Sequence, residues 1–182
     1  GHINLGSLTI AGYRTNKDLM NKLAATCDVL VGLPCVLLDR DPNAAKRRKV
    51  YGRAGEYRTP PHGFEYRTPS NFWLRNYYLM SFIMAQARTA VNVWYPATGA
   101  VPTRARYDPR GNYVKLPLTI NHFEDLMKRV DMKKVVKAIN KNDLDIASAE
   151  WAKVEPFIEE YWGYECNGVT SGYTKYFRHF AE

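Results

Sequence analysis

The feature that most constrains this sequence is a pentapeptide, Glu-Tyr-Arg-Thr-Pro, which occurs at residues 56–60 and again at residues 65–69. In an extended strand, residues two apart point to the same face, so each copy presents its glutamate and its arginine together. The segment between the copies, residues 60–63, reads Pro-Pro-His-Gly and supplies the fixed and permissive dihedrals of a chain reversal. We therefore predict two short antiparallel arms joined by a turn, rather than one continuous strand.

The charges on these arms are suited to phosphate chemistry. Glu56 and Arg58 form the first pair, and Glu65 and Arg67 form the second. Arginine binds phosphate through two parallel hydrogen bonds, and carboxylates supply the hard oxygen ligands that Mg²⁺ prefers. The alternative is a solvated hairpin in which glutamate and arginine neutralise each other across the strands. The hairpin by itself does not decide between these two interpretations.

Length and composition limit the class of protein. A chain of 182 residues is the size of one domain with a sizeable core, and its 46% hydrophobic residues argue against a disordered chain. The apolar runs are interrupted by charges or amides, which predicts no membrane span. Three cysteines, Cys27, Cys35 and Cys166, lack the spacing of metal ligands. We expect them to be buried thiols in the reducing environment of the cytoplasm.

A formal net charge of +8 points to an anionic partner. Nucleotide phosphates, nucleic acid and an acidic cell-wall polymer all fit this charge. Most of the excess lies in two clusters, of which the second runs from Lys128 to Lys141. The first cluster consists of Lys46, Arg47, Arg48, Lys49, Arg53, Arg58 and Arg67. Only this first cluster is interleaved with glycines and acids.

Periodicity predicts an α+β fold in which antiparallel strands are backed by long helices. Strands are expected at residues 1–10, about 50–58 and 63–68. Helices are expected at about residues 16–32, from 70 or 71 to about 95, at about 121–139 and at about 145–161. The segments between them are an apolar stretch at 33–39, a polar basic loop at 40–53, a loop with at most a small hairpin at 96–112, and an irregular aromatic tail from 162 onward.

The first residues have the pattern of a strand. Ile3 and Leu5 alternate with His2 and Asn4, so an imidazole and an amide share one face and apolar groups share the other. We expect the interior of a strand here rather than a chain terminus, with a cloning-derived Gly-His as the alternative.

Four segments carry a family resemblance. They are His-x-Asn at 2–4, Leu-Pro-Cys-Val-Leu-Leu-Asp at 33–39, Arg-Arg-Lys-Val-Tyr-Gly-Arg-Ala-Gly-Glu-Tyr-Arg at 47–58, and Gly-Phe-Glu-Tyr-Arg-Thr-Pro-Ser-Asn-Phe-Trp at 63–73. Their order and spacing resemble the phage-associated carboxylate–amine ligases (amidoligases) of the glutamine synthetase-like superfamily. The resemblance covers about residues 1–95 and implies that residues 1–182 are one domain, the later part of a catalytic domain. Residues 96–182 resemble no family known to us.

The resemblance implies an ATP- and Mg²⁺-dependent synthesis of an amide or peptide bond. A carboxylate is phosphorylated, and an amine then displaces the phosphate. By position, His2 and Glu65 would bind the metal, and Arg67 would hold the substrate or its phosphate. The substrates would be an amino-acid or peptide carboxylate and an amine. The cytoplasm of a phage-infected bacterial host is the implied location.

The resemblance also implies residues that bind the nucleotide. Arg58 would contact the γ-phosphate, with Arg47 or Arg48 as a second arginine. Asn4 stands where the superfamily usually has a second histidine. An amide can donate to a nucleotide phosphate, but it does not titrate near neutral pH, so a proton-transfer role is not expected of it.

Relatives draw further metal-binding carboxylates from strands that precede the His-x-Asn strand, and this sequence does not include them. We therefore expect a separate N-terminal polypeptide segment or a homo-oligomer to complete the site. Two alternatives stay open. One is a basic nucleic-acid-binding protein, which would bind without Mg²⁺ and with a steep salt dependence. The other is a phage structural or assembly protein on a ligase-like scaffold, since fold does not fix function.

Overall fold

The computed structural model describes residues 1–99, 103–107, 113–117 and 122–165, and within them helices dominate an α+β fold. The helices are α1 (Leu8–Tyr13), α2 (Lys17–Cys27), α3 (Leu33–Leu38), α4 (Ala44–Val50), α5 (Tyr77–Trp94), α6 (His122–Arg129), α7 (Met132–Lys141) and α8 (Leu144–Glu165). A π-helical turn, Asp28–Gly32, joins α2 to α3, and 3₁₀ turns lie at Phe72–Arg75 and Tyr95–Thr98. The strands are β1 (Ile3–Gly6), β2 (Tyr57–Arg58), β3 (Gly63–Tyr66), β4 (Thr103–Tyr107) and β5 (Tyr113–Pro117). The predicted α+β class is confirmed, and the glutamine synthetase-like architecture stays a prediction.

A three-stranded antiparallel sheet has the order β1-β3-β2. The hairpin predicted from the repeated pentapeptide is confirmed, because β2 and β3 pair antiparallel across a turn closed by a 2.9 Å bond from Gly63 N to Pro60 O. The turn also requires glycine at position 63. The φ of Gly63 is +149°, and a Cβ there would lie 2.3 Å from the carbonyl oxygen of Leu5 on β1. The sheet is therefore held together at this corner by close backbone approach.

The predicted strands are longer than the observed ones. The strand expected over residues 1–10 ends at Gly6, because Ser7 starts α1 by accepting a hydrogen bond from Ile10 N at 3.1 Å. The strand expected at 50–58 is reduced to β2, since α4 ends at Val50 and the backbone then turns at Gly52 and Gly55, whose φ values are +78° and +73°. The polar basic loop expected at 40–53 was wrong over residues 44–50, which form α4, and the residues on either side of that helix are irregular as expected. Its run of alanine, lysine and arginine is favourable to helix, and propensity outweighed the turn signal before it.

The central helix is longer than predicted. Asn16 caps α2, with its Oδ1 accepting from Leu19 N at 3.1 Å. The helix then continues through the π-helical turn and α3, so the expectation of a non-helical segment at 33–39 was wrong. Pro34 lacks an amide to donate, and the widened turn directly before it is where the helix accommodates that loss.

The stretch Lys17–Leu38 meets the length and composition of a membrane-crossing helix. However, 78% of its most apolar window is buried inside the fold, which is also the property of a core helix. It packs against α5, whose Trp94 donates its indole N–H to Leu19 O at 2.8 Å. The expected burial of Cys27 and Cys35 is confirmed, and both are free thiols.

The remaining helices differ from prediction mainly in their ends. The helix expected at 121–139 is two helices, because Asp131 interrupts it and caps α7 by accepting from Lys133 N at 2.9 Å. The helix expected from residue 70 or 71 begins at Tyr77, after Asn76 has capped it. The loop expected at 96–112, with at most a small hairpin, contains β4, but the partner strand β5 lies beyond it, so the hairpin extends to residue 117. The irregular tail expected from residue 162 onward was wrong for residues 162–165, because α8 continues through Glu165. The predictions for Cys166 and for the rest of the tail lie outside the described residues.

Candidate functional site

Strand register brings the predicted site residues to one face of the sheet. Glu65 on β3 lies opposite Asn4 on β1 and Arg58 on β2. Directly opposed residues of an antiparallel pair project from the same face, so these three side chains form a row across the strands. We call this surface, with the next row described below, the polar sheet face. Its residues are His2, Asn4, Glu56, Arg58, Glu65 and Arg67.

The second row of the polar sheet face follows from the same register. Arg67 N donates to Glu56 O at 2.9 Å, which continues the β2–β3 pairing by one residue. His2 lies just before β1 and belongs to this row as well. Its Nδ1 is 3.0 Å from Glu65 Oε1. The opposite face carries Ile3 and Tyr66, which are buried in the core. The alternation of polar and apolar residues therefore fixes which face is presented outward.

One carboxylate oxygen of Glu65, Oε1, is buried without a hydrogen-bond donor. The Glu65 side chain is 14% exposed, and its Oε1 lies 3.0 Å from His2 Nδ1 and 3.4 Å from Arg67 Nε. Neither approach has the alignment of a hydrogen bond, so this buried oxygen is left without a donor. A buried carboxylate oxygen without a donor costs free energy, and a divalent cation would satisfy it. The geometry fits a metal ligand at Glu65.

Glu56 is used differently from its counterpart in the repeat. Its Oε2 accepts hydrogen bonds from the backbone amides of Gly52 at 2.7 Å and Arg53 at 3.1 Å. Its Oε1 lies 3.4 Å from Arg67 Nη1. Glu56 therefore closes the turn that leads into β2 and holds Arg67, so the two copies of the pentapeptide have separate structural tasks.

The two arginines of the repeat also differ. Arg67 lies 3.4 Å from a carboxylate oxygen of both Glu56 and Glu65. Its contact with Glu56, on the neighbouring strand segment, is the cross-strand neutralisation that the alternative interpretation expects. Arg58 is exposed, and within the described residues it makes no ion pair. The hairpin thus presents one arginine that is held in place and one that is open to solvent.

Tyr51 links the polar side chains and was not singled out by sequence reasoning. Its hydroxyl contacts His2 Nε2 and accepts a 2.9 Å hydrogen bond from Arg67 Nε. The Arg67 guanidinium carbon lies 4.4 Å from the centre of its ring, within the range of a cation–π contact. The available signal was its place in the Tyr-Gly-x-Ala-Gly segment at residues 51–55, shortly after the basic run at residues 46–49.

Arg47 and Arg48 are positioned by the backbone and the core. Arg47 donates to the carbonyl oxygens of Thr68 at 2.9 Å and Pro69 at 2.8 Å, which anchors the chain after β3. Arg48 is 1% exposed, and its Nε and Nη2 have no hydrogen-bond partner. Neither guanidinium shares the exposed position of Arg58. Their contact with a nucleotide stays a prediction, and it would require these side chains to move.

Asp28 supports the sheet from below. It lies on the π-helical turn, is 2% exposed, and accepts from Tyr66 Oη at 2.6 Å and from Gly55 N at 3.0 Å. Burial raises the pKa of its carboxyl from 3.8 to about 7, although both hydrogen bonds and the charge of Arg48 lower it. Because Tyr66 stands between Glu65 and Arg67, this contact fixes the strand that carries them.

The described residues contain no group of three or more His, Cys, Asp or Glu side chains that could hold a metal ion. His2 and Glu65 are thus at most part of a ligand set. The second basic cluster presents Lys133, Lys134 and Lys137 as exposed residues of α7. These exposed lysines fit a solvated helix face as well as they fit a nucleic-acid-binding surface.

A model of the phage phiEco32-like COOH.NH2 ligase-type 2 family matches residues 1–101, more than half of the chain. The chain belongs to this family. The matched part of the chain includes all three strands of the three-stranded sheet and every residue of the polar sheet face, and the resemblance found in the sequence is confirmed. The family name describes a ligase that joins a carboxylate to an amine. No curated protein and no solved structure matched the chain.

Proposed function

We propose that this chain is an ATP- and Mg²⁺-dependent carboxylate–amine ligase that forms an amide or peptide bond through an acyl phosphate. Its polar sheet face would bind the metal and the nucleotide phosphates. The observation that carries the proposal is the buried Oε1 of Glu65, which lacks a hydrogen-bond donor and lies between His2 and Arg67. Asn4 and Arg58 share this face in register.

Magnesium fits the donor set of this surface. Proteins usually bind Mg²⁺ through one or two carboxylates and leave the other positions to water and substrate phosphates. Glu65 would supply the carboxylate. His2, which the family resemblance also implies at the metal site, would lie beside it. When bound, Mg²⁺ would neutralise charge on the β- and γ-phosphates. The missing ligands would come from phosphate, water or another polypeptide segment.

The arginines and the amide would do the remaining work. Phosphoryl transfer needs little covalent chemistry from a protein and much placement of charge. Arg58, exposed on β2, would contact the γ-phosphate, and Asn4 would donate its amide N–H to a phosphate oxygen. Arg67 would leave one of its two carboxylate neighbours and bind the phosphorylated substrate instead.

The partners follow from the same proposal. The substrates would be an amino-acid or peptide carboxylate and an amine. Within the described residues β1 pairs only with β3, so its outer edge is open to a strand from an N-terminal segment or from a second copy of the chain. Such a strand would extend the sheet towards a glutamine synthetase-like arrangement. The proposed location is the cytoplasm of the infected host.

Calorimetric titration with ATP, with and without Mg²⁺, tests the proposal. We expect saturable binding that requires Mg²⁺, that loses its Mg²⁺ dependence in Glu65→Gln, and that weakens about 10- to 100-fold in Arg58→Met, since hydrogen bonds to charged groups contribute about 1.5–3 kcal/mol. The matched control is Lys46→Met, an exposed cation of the same basic cluster on α4. It should bind as the unaltered chain does.

Other outcomes favour the other candidates. Binding of single- or double-stranded nucleic acid without Mg²⁺, with a steep salt dependence, would favour the basic surface of α7. A folded chain that binds neither nucleotide nor nucleic acid would overturn the ligase proposal and leave the scaffold interpretation.

A further inference from the structure

Tyr51 occupies a position that the family resemblance does not assign. It follows α4 directly, where its own N–H caps the helix by donating to Arg47 O at 2.8 Å. Its side chain reaches the polar sheet face, and its hydroxyl contacts both His2 Nε2 and Arg67 Nε. Its ring lies under Arg67, at 4.4 Å from the guanidinium carbon, and near Arg47, at 5.4 Å.

The direction of these hydrogen bonds follows from which atoms carry protons. Arginine nitrogens only donate, so the Tyr51 oxygen accepts from Arg67 Nε. The hydroxyl proton is then available to the second contact, where His2 Nε2 can receive it as an acceptor. A neutral imidazole with an accepting Nε2 carries its proton on Nδ1. That nitrogen is the one that lies 3.0 Å from Glu65 Oε1.

We infer that Tyr51 is a positioning residue of the polar sheet face, which sets the tautomer of His2 and seats the guanidinium of Arg67. The chain of contacts runs from Arg67 through Tyr51 and His2 to Glu65. Because Tyr51 occupies Nε2 and Nδ1 carries the proton, His2 has no lone pair to give to the metal. It lies beside Glu65 without an aligned hydrogen bond to Oε1, which leaves that oxygen to the cation. This assignment also agrees with the preference of Mg²⁺ for oxygen ligands.

The consequence for ligand binding rests on the proposed function, whereas the histidine tautomer does not. Tyr51→Phe separates the two effects well, because it keeps the ring beneath Arg67 and removes only the hydroxyl. Tyr57→Phe is a matched control. Tyr57 lies in the same sheet, and its hydroxyl donates to Asn21 Oδ1 at 2.8 Å, outside the polar sheet face.

Long-range ¹H–¹⁵N correlation spectra of the full chain read the tautomer directly. The measurement is made near pH 8, above the ordinary histidine pKa of about 6.5. The chain has four histidines, and His2→Gln assigns the signal of His2. We expect the Nδ1–H form in the unaltered chain and in Tyr57→Phe, and a change towards the Nε2–H form in Tyr51→Phe. An Nε2–H form in the unaltered chain, or the same form in both tyrosine variants, would overturn the inference.

Titration with Mg²⁺ and ATP is the second readout. Tyr51→Phe should weaken Mg²⁺-dependent binding about tenfold, as expected for the loss of a hydrogen bond to a charged group, here the guanidinium of Arg67. Tyr57→Phe should bind as the unaltered chain does, and equal affinities for both variants would overturn the positioning role. If the unaltered chain binds no nucleotide, the proposed function fails, and the tautomer spectra still decide whether Tyr51 sets the state of His2.

Discussion

Asp28 allows the energetic effect of a buried carboxyl to be measured. Its pKa is raised from 3.8 to about 7 by burial. In the pH range between these values, the folded chain holds a proton at Asp28 that the unfolded chain has lost. The stabilisation is therefore complete below about pH 4 and is lost as the pH rises through about 7. A difference of roughly three pKa units, at about 1.4 kcal/mol each, corresponds to about 4 kcal/mol.

Asp28→Asn removes this pH dependence with little change in shape. Asparagine keeps an oxygen that can accept from Tyr66 Oη and Gly55 N, and it does not ionise. We expect the stability of Asp28→Asn, relative to the unaltered chain, to increase by about 4 kcal/mol between pH 4 and pH 8. Charges that face Asp28, including Arg48, are present in both chains and largely cancel in this difference.

Urea unfolding at several pH values, followed by tryptophan fluorescence, gives the required free energies. Asp18→Asn is the control, because Asp18 is an exposed carboxylate on α2 and pairs only with Lys22 in the described structure. Its stability difference should change little with pH. A difference for Asp28→Asn that is constant from pH 4 to pH 8 would refute the reasoning, since it would mean that Asp28 ionises alike in the folded and unfolded chains.

Three further substitutions test the scaffold of the site. Gly63→Ala should destabilise the fold by roughly 2 kcal/mol or more, because it places a methyl group against Leu5 O at a φ that L-residues avoid; urea unfolding measures this, and a change below 0.5 kcal/mol would contradict it. Arg47→Met should cost about 2 kcal/mol by leaving the carbonyls after β3 without donors; faster amide exchange at residues 67, 68 and 70 would accompany it, and unchanged exchange would not fit. Trp94→Phe should cost about 1–2 kcal/mol through loss of the bond to Leu19 O; an unfolding midpoint equal to that of the unaltered chain would speak against the bond.

The polar sheet face could be predicted because it is determined by patterns between residues close together in the sequence. Alternation around His2 and Asn4, and the spacing of Glu65 and Arg67, fix the face of each side chain once a strand forms. The turn at residues 60–63 then supplies the pairing of β2 with β3. The sequence did not reveal that Glu56 would be engaged by backbone amides, since this depends on the conformation of the turn before it.

Contacts between distant segments could not be predicted in this way. Asp28 lies in an apolar helical run, and its link to Tyr66 exists only after the helix packs beneath the sheet. Tyr51 becomes part of the site because the end of α4 brings its hydroxyl to His2 and Arg67, and α4 itself was predicted as loop. The helix through Pro34 was missed because a proline usually ends a helical pattern, and a widened turn is not visible in the periodicity.

Mn²⁺ can replace Mg²⁺ and broadens the NMR signals of nearby nuclei, so a titration of the labelled chain with small amounts of Mn²⁺ and excess ATP locates the metal most directly. The account predicts that the first backbone signals to broaden belong to Glu65 and its strand neighbours, Asn4 and Arg58, and that Glu65→Gln abolishes this selectivity. Broadening that begins on α7, or spectra that do not change with Mn²⁺ and ATP, would contradict a metal–nucleotide site on the polar sheet face.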